Sequence, residues 1–140
     1  MLHIKKIKPL FTSIVTTGDK YEEDMYNEGL IEARKGDLKT YQKVVAVGSS
    51  VRDIKVGDMV MINVMNYAVK RYSKDSLQND MDNNPIIRFQ FNWVQVDDED
   101  GNPQDCLLLN DRDILFAFEG DEVQGKKATL IMPNKEIITN

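Results

Sequence analysis

KVVAVGSSVRDIKVGDMVMIN, residues 43–63, decides how the rest of the chain is read. Two apolar runs, 44–47 and 59–62, flank a short polar connection with Gly48 near one end and Gly57 near the other. The runs are short, rich in β-branched residues and bounded by turn chemistry, so they predict two strands rather than a helix. Gly57-Asp58 suits a tight turn in which glycine takes a positive φ and the aspartate bonds nearby backbone. Val51, Ile54 and Val56 stand in the connection as isolated apolar anchors. The stretch predicts an all-β fold, a small β-barrel.

Working outward, residues 1–17 (MLHIKKIKPLFTSIVTT) read as an edge or entry strand running through Ile14 and Val15, with Pro9 removing a backbone donor. Residues 18–42 form a long charged segment with one apolar island, Leu30-Ile31, after Gly29. With no sustained stripe it predicts no buried helix, and a loop of this length is either functional or a solvated excursion. On the other side, 64–70 extends as a third strand, and 71–85 reads as a loop or short helical insertion. IIRFQFNWVQV (86–96) predicts one strand whose apolar parity switches after Trp93, the mark of a bulge. A turn at 97–105, a partner strand at 106–109, a polar turn and a last strand at 110–120, and a terminal hairpin within 128–140 complete the reading.

The 140 residues suit one domain with a modest core, and 41% hydrophobic and 29% charged residues are ordinary for a globular protein. A net charge of −5 and a pI near 4.9 argue against nucleic acid as a direct partner, since phosphate binding needs a basic face. No apolar run approaches the roughly 18 residues of a membrane span, and the start lacks a signal-peptide apolar core, so a cytoplasmic protein is expected. The single cysteine, Cys106, allows no internal disulfide and no multi-cysteine zinc site.

No catalytic constellation assembles. The chain has no G-x-S-x-G elbow, P-loop or G-x-G-x-x-G turn, and Cys106 sits in the apolar run CLLL as a small buried hydrophobe. His3, the only histidine, has no partners for a metal site. Asp97, Asp98, Glu99 and Asp100 lack the alternating spacing that wraps calcium, and fit a solvated hairpin tip. Asp111 and Asp113 are explained by local capping of their turn. Neither an enzyme nor a cofactor is expected.

The order of elements resembles the GroES-like co-chaperonin family. IKPLFTSIV (7–15) is similar to its opening strand, VVAVG (44–48) and IKVGDMVMIN (54–63) to its central strand and lysine-valine-glycine-aspartate turn, NYAVK (66–70) to the segment that follows, and LLLNDRDILFAFEG (107–120) to its closing hairpin and last strand. Together these cover about a third of the chain, in the family's order. The resemblance implies a co-chaperonin-like barrel over 1–120, a mobile loop at about 18–42 and an insertion at about 71–92, with 121–140 a C-terminal hairpin extension. It further implies a heptameric ring that caps a chaperonin of the Hsp60/GroEL type while a client folds inside. Gly29, Leu30 and Ile31 fall where the family's loop docks on the chaperonin's apical domain, Gly29 as hinge and the two apolar residues as anchors. Such anchors on a charged tether order on contact with a groove, and several weak loops on one ring gain avidity.

Three features depart from the family. Glu32 stands where a third apolar anchor belongs, the roof-forming insertion is reduced to 49–53, and the 71–92 and C-terminal segments are additions. They favour an alternative from another class: a structural or assembly protein, a ring or adaptor of a phage particle built on the same barrel.

Overall fold

A computed structural model describes residues 1–71 and 86–125. The expected terminal hairpin and most of the 71–92 insertion lie outside them. Ten strands follow one another among the described residues: β1 (Ser13–Thr17), β2 (Met25–Asn27), β3 (Leu30–Ala33), β4 (Tyr41–Val47), β5 (Met59–Ile62), β6 (Ala68–Arg71), β7 (Ile86–Phe89), β8 (Asn92–Asp97), β9 (Pro103–Asn110) and β10 (Ile114–Phe118). The chain divides into two compact units, Met1–Asp19 with Thr40–Glu119, and Lys20–Lys39 with the segment that begins at Gly120. No helix among the described residues is long and apolar enough to cross a membrane.

The first unit is built on a six-stranded sheet ordered β10-β5-β4-β1-β9-β8. Its neighbours run antiparallel. The fold is therefore all-β as the sequence predicts, but among the described residues no pairing joins β10 to β8, and the ladder stays open rather than closing into a barrel. β1 lies between β4 and β9, which corrects the edge reading of the expected edge or entry strand. Because side chains alternate across a strand, Ile14 and Val15 feed opposite faces. Ile14 joins Val44 and Val60, with Val47, Val51, Ile54 and Ile114 packed around them. Val15 joins Val96 and Cys106, covered by Ile4, Ile7, Val45, Ala46 and Val94.

The 43–63 stretch forms as read, with one difference. β4 pairs with β5 through Tyr41–Lys43 and with β1 from Val44 onward, so one strand spans two neighbours. Val51 and Ile54 anchor the connection on the core, but Val56 is exposed at the turn. That turn is closed by the Asp58 amide donating to the Lys55 carbonyl at 3.1 Å, and the Asp58 carboxylate accepts from the Lys55 amide at 2.9 Å. Gly57 has φ +96° in open space, so an alanine there meets only backbone strain of about 1 kcal/mol. Gly48 is the more constrained position. A Cβ there would lie 2.2 Å from the Phe11 carbonyl oxygen, where the chain crosses itself and the Ser50 amide donates to that same oxygen at 2.9 Å. Gly48→Ala is expected to cost about 2–3 kcal/mol, more than Gly57→Ala, as a shift in the urea midpoint.

Two other expectations are revised. Residues 64–70 do not run on as a strand: Val64–Tyr67 is a single 3-10 turn, and only then does β6 begin. The 86–96 stretch is not one bulged strand either. It breaks at Gln90-Phe91 into β7, which pairs with β6, and β8, which pairs with β9. The bulge expected near Trp93 is absent: β8 pairs with β9 without a register shift from Asn92 to Asp97, and Trp93 is exposed on the face opposite buried Val96. The Tyr67 ring stacks on Phe91 at 4.8 Å and fills the break.

Candidate functional site

The second unit contains the segment that carries the expected docking residues. Its neck is clipped by the Tyr21 amide donating to the Asp37 carbonyl at 2.9 Å and the Gly36 amide to the Tyr21 carbonyl at 2.8 Å. The Asp37 carboxylate accepts from the Arg34 amide at 3.0 Å, and Asp24 from the Lys35 amide at 2.8 Å. Within the neck the chain folds as the β2–β3 hairpin instead of an irregular loop, pairing Tyr26 with Ile31 and Asn27 with Leu30. Its turn is Glu28-Gly29, with φ of +50° and +85°. Positive φ at both central residues is what a two-residue hairpin with the native strand twist requires, and glycine supplies the second at low cost.

Gly29 therefore sits in the turn itself, and Leu30 and Ile31 open β3 beside it. Leu30 is 75% exposed and Ile31 46%. Neighbours in a strand point to opposite faces, so the two anchors do not form one apolar patch. Ile31 shares a face with its cross-strand partner Tyr26, while Leu30 shares one with exposed Glu32. A partner that takes both must grip the tip from two sides. Among the described residues of this unit, Met25 at the hairpin's base is the one buried side chain, 6% exposed.

The first unit holds a polar cluster around Asp113. Asp113 is 5% exposed in the turn Asp111–Asp113 between β9 and β10. Its carboxylate accepts from the Tyr67 hydroxyl, from the Asn66 amide at 2.9 Å and from the Asn110 backbone amide at 2.9 Å. Asn110 in turn accepts from the Thr12 hydroxyl at 2.7 Å. Burial opposes the charge on Asp113, but these donors and the Arg112 guanidinium outweigh it and hold its carboxyl below the usual range. Burial, then the Asp113 hydrogen bond and charge, push the Tyr67 phenol well above its ordinary value, Arg112 opposing. The cluster opens on a cavity of about 590 Å³ lined by Ser13, Asn92 and Arg112 among others. Oδ1 of Asp113 accepts from Asn66 and Oδ2 from both Tyr67 and Asn110, so the arrangement ties the 3-10 turn at 64–67 to the one at 111–113. It is the capping role expected of Asp113, extended to a second turn that the sequence did not link to it.

Asp98 at the β8–β9 tip accepts from the amides of Asp100 and Asn102, both at 2.9 Å, and so organises the acidic turn. His3 meets Asp97 at 2.9 Å. Cys106 is buried in β9, and burial followed by the charges of Asp105 and Asp19 raises its thiol pKa. Among the described residues no group of three or more His, Cys, Asp or Glu side chains is placed to hold a metal ion. A scan against protein-family models finds no match for the chain, and a comparison with curated proteins finds none.

Proposed function

We propose that this chain is a co-chaperonin-like protein, the subunit of a ring that caps a chaperonin chamber. The observation that carries the reading is the Glu28-Gly29 hairpin, which holds Leu30 and Ile31 exposed at the tip of a unit compact in itself. Exposed aliphatic anchors on a small hairpin suit insertion into an apolar groove. Ring assembly is supported by β10, an outer strand of the sheet among the described residues that exposes Leu115 and Phe116, because a sheet edge with apolar side chains favours another chain. The GroES-like order of segments supplies the family reading, and the ring size expected from it is heptameric.

The test is to add the purified protein to a GroEL-type chaperonin with ATP. A capped complex in negative stain and lowered ATPase turnover are expected. A protein that remains monomeric and leaves the ATPase unchanged would overturn the reading. A ring or adaptor subunit of a larger particle is the second reading, favoured by Ile87 and Phe89, exposed on the β6–β7 hairpin. It predicts rings that form yet ignore the chaperonin.

A further inference from the structure

A two-stranded hairpin of three and four residues is marginal in water by itself. Something else must hold β2 and β3 in place, and the structure shows what does. From 98 positions away, the Gln124 side chain accepts from the Tyr26 amide at 2.8 Å, and the same side chain donates to the Asp24 carbonyl at 2.6 Å. One primary amide thus does for β2 what a peptide unit of a neighbouring strand would do. The Gly125 amide adds a bond to the Tyr26 carbonyl at 2.9 Å, so both backbone groups of Tyr26 are engaged on this side. Glu122 meets Lys39 at 3.0 Å, joining the same segment to the end of the hairpin's neck. Gly125 is required by the approach: a Cβ there would stand 2.3 Å from the Tyr26 carbonyl oxygen.

We infer that residues 122–125 are a positioning clamp that orders the Leu30-Ile31 hairpin before any partner arrives. The inference rests on the docking role proposed above for what it does to affinity, but the ordering is a property of the free protein. A tip held in its bound shape avoids the entropy cost of ordering on contact, so the clamp sets the strength of each docking event. Gln124 and Gly125 act through the hairpin without touching the partner. By satisfying β2, the clamp also blunts one edge of the hairpin against pairing with other chains.

The experiment compares full-length Gln124→Ala and Gly125→Ala with the parent by amide hydrogen exchange. Exchange in β2 and β3 is expected to quicken about tenfold or more, with β1 and β9 unchanged. Gln124→Glu, which keeps the acceptor for Tyr26 but loses the donor to Asp24, should fall between. Unchanged exchange in β2 and β3 overturns the clamp. The second arm measures affinity for a GroEL-type chaperonin with ADP. Both alanine variants should bind about tenfold more weakly, and the effect of Gln124→Ala should shrink once Leu30 is alanine. Faster exchange with unaltered affinity overturns the positioning role. Absence of binding by the parent protein overturns the co-chaperonin reading, and the exchange result still decides the clamp.

Discussion

Leu30→Asp is expected to abolish association with a GroEL-type chaperonin while leaving the urea midpoint within about 0.5 kcal/mol of the parent. The side chain is 75% exposed at the hairpin tip, so the fold does not depend on it, whereas a groove would have to bury a carboxylate in its place. Losing an anchor of this kind costs about 2 kcal/mol or more per docking event. A ring multiplies the loss, because its subunits dock as a multivalent set and every loop is weakened together. Ile31→Asp should weaken docking as much but is a less clean variant. Ile31 is more covered than Leu30 and pairs across the hairpin with Tyr26, so part of its effect will appear as faster exchange in β2 and β3. Co-sedimentation with chaperonin and nucleotide checks both. Undiminished co-sedimentation of Leu30→Asp would remove the hairpin tip from the docking surface.

The contrast between these two neighbours shows what the sequence can and cannot convey. Leu30-Ile31 is visible as an apolar island in a charged segment, and Gly29 as a turn residue, so the position of the candidate site is legible. That the segment is a hairpin is not. Its strands are three and four residues long, too short for a period of two to register, and its turn is Glu-Gly rather than the Asn-Gly or Asp-Gly that signals such a hairpin. Gln124 was illegible for another reason: nothing local marks a glutamine as the partner of backbone about 100 positions earlier. The same limit hid Gln42, buried at 1% exposure, whose amide binds Thr17 and both backbone groups of Asp19.

At 44–47 and 59–62 the local signals were correct and the tertiary ones had to be supplied. Residues 44–47 and 59–62 form strands because β-branched runs bounded by turns have few alternatives. Their order in the sheet depends on pairings that no run contains. At 86–96 the apolar parity suggested a bulge near Trp93, but β8 is regular there and the chain changes partner earlier, at Gln90-Phe91. The Phe91 ring stacked on Tyr67 lies at that break, a contact between side chains 24 positions apart that no local pattern announces.

Asp113→Ala is expected to destabilise the first unit by about 3 kcal/mol. It removes the shared acceptor of three donors and leaves the Tyr67 hydroxyl, the Asn66 amide and the Asn110 backbone amide to find water. The adjacent cavity of about 590 Å³ admits that water, which keeps the loss below that of a sealed site. Tyr67→Phe removes one donor and keeps the ring on Phe91, so about 1–2 kcal/mol is expected. The pH dependence separates the cluster from simple packing. The Asp113 pKa is lower in the folded chain, so its contribution is present above the ordinary carboxylate value of about 4 and is lost as pH falls through the lowered folded value. The Tyr67 pKa is raised, so its contribution holds below about 10 and is lost as pH rises beyond that, where the unfolded chain gives up the proton and the folded chain keeps it. The cluster thus stabilises across the neutral range and weakens at both extremes. Urea midpoints across pH should show the parent losing stability on the acid side relative to Asp113→Asn, which has no carboxylate to titrate. On the alkaline side, Tyr67→Phe should lack the loss seen in the parent. If Asp113→Asn and the parent follow parallel acid limbs, the carboxylate is not what joins the two 3-10 turns.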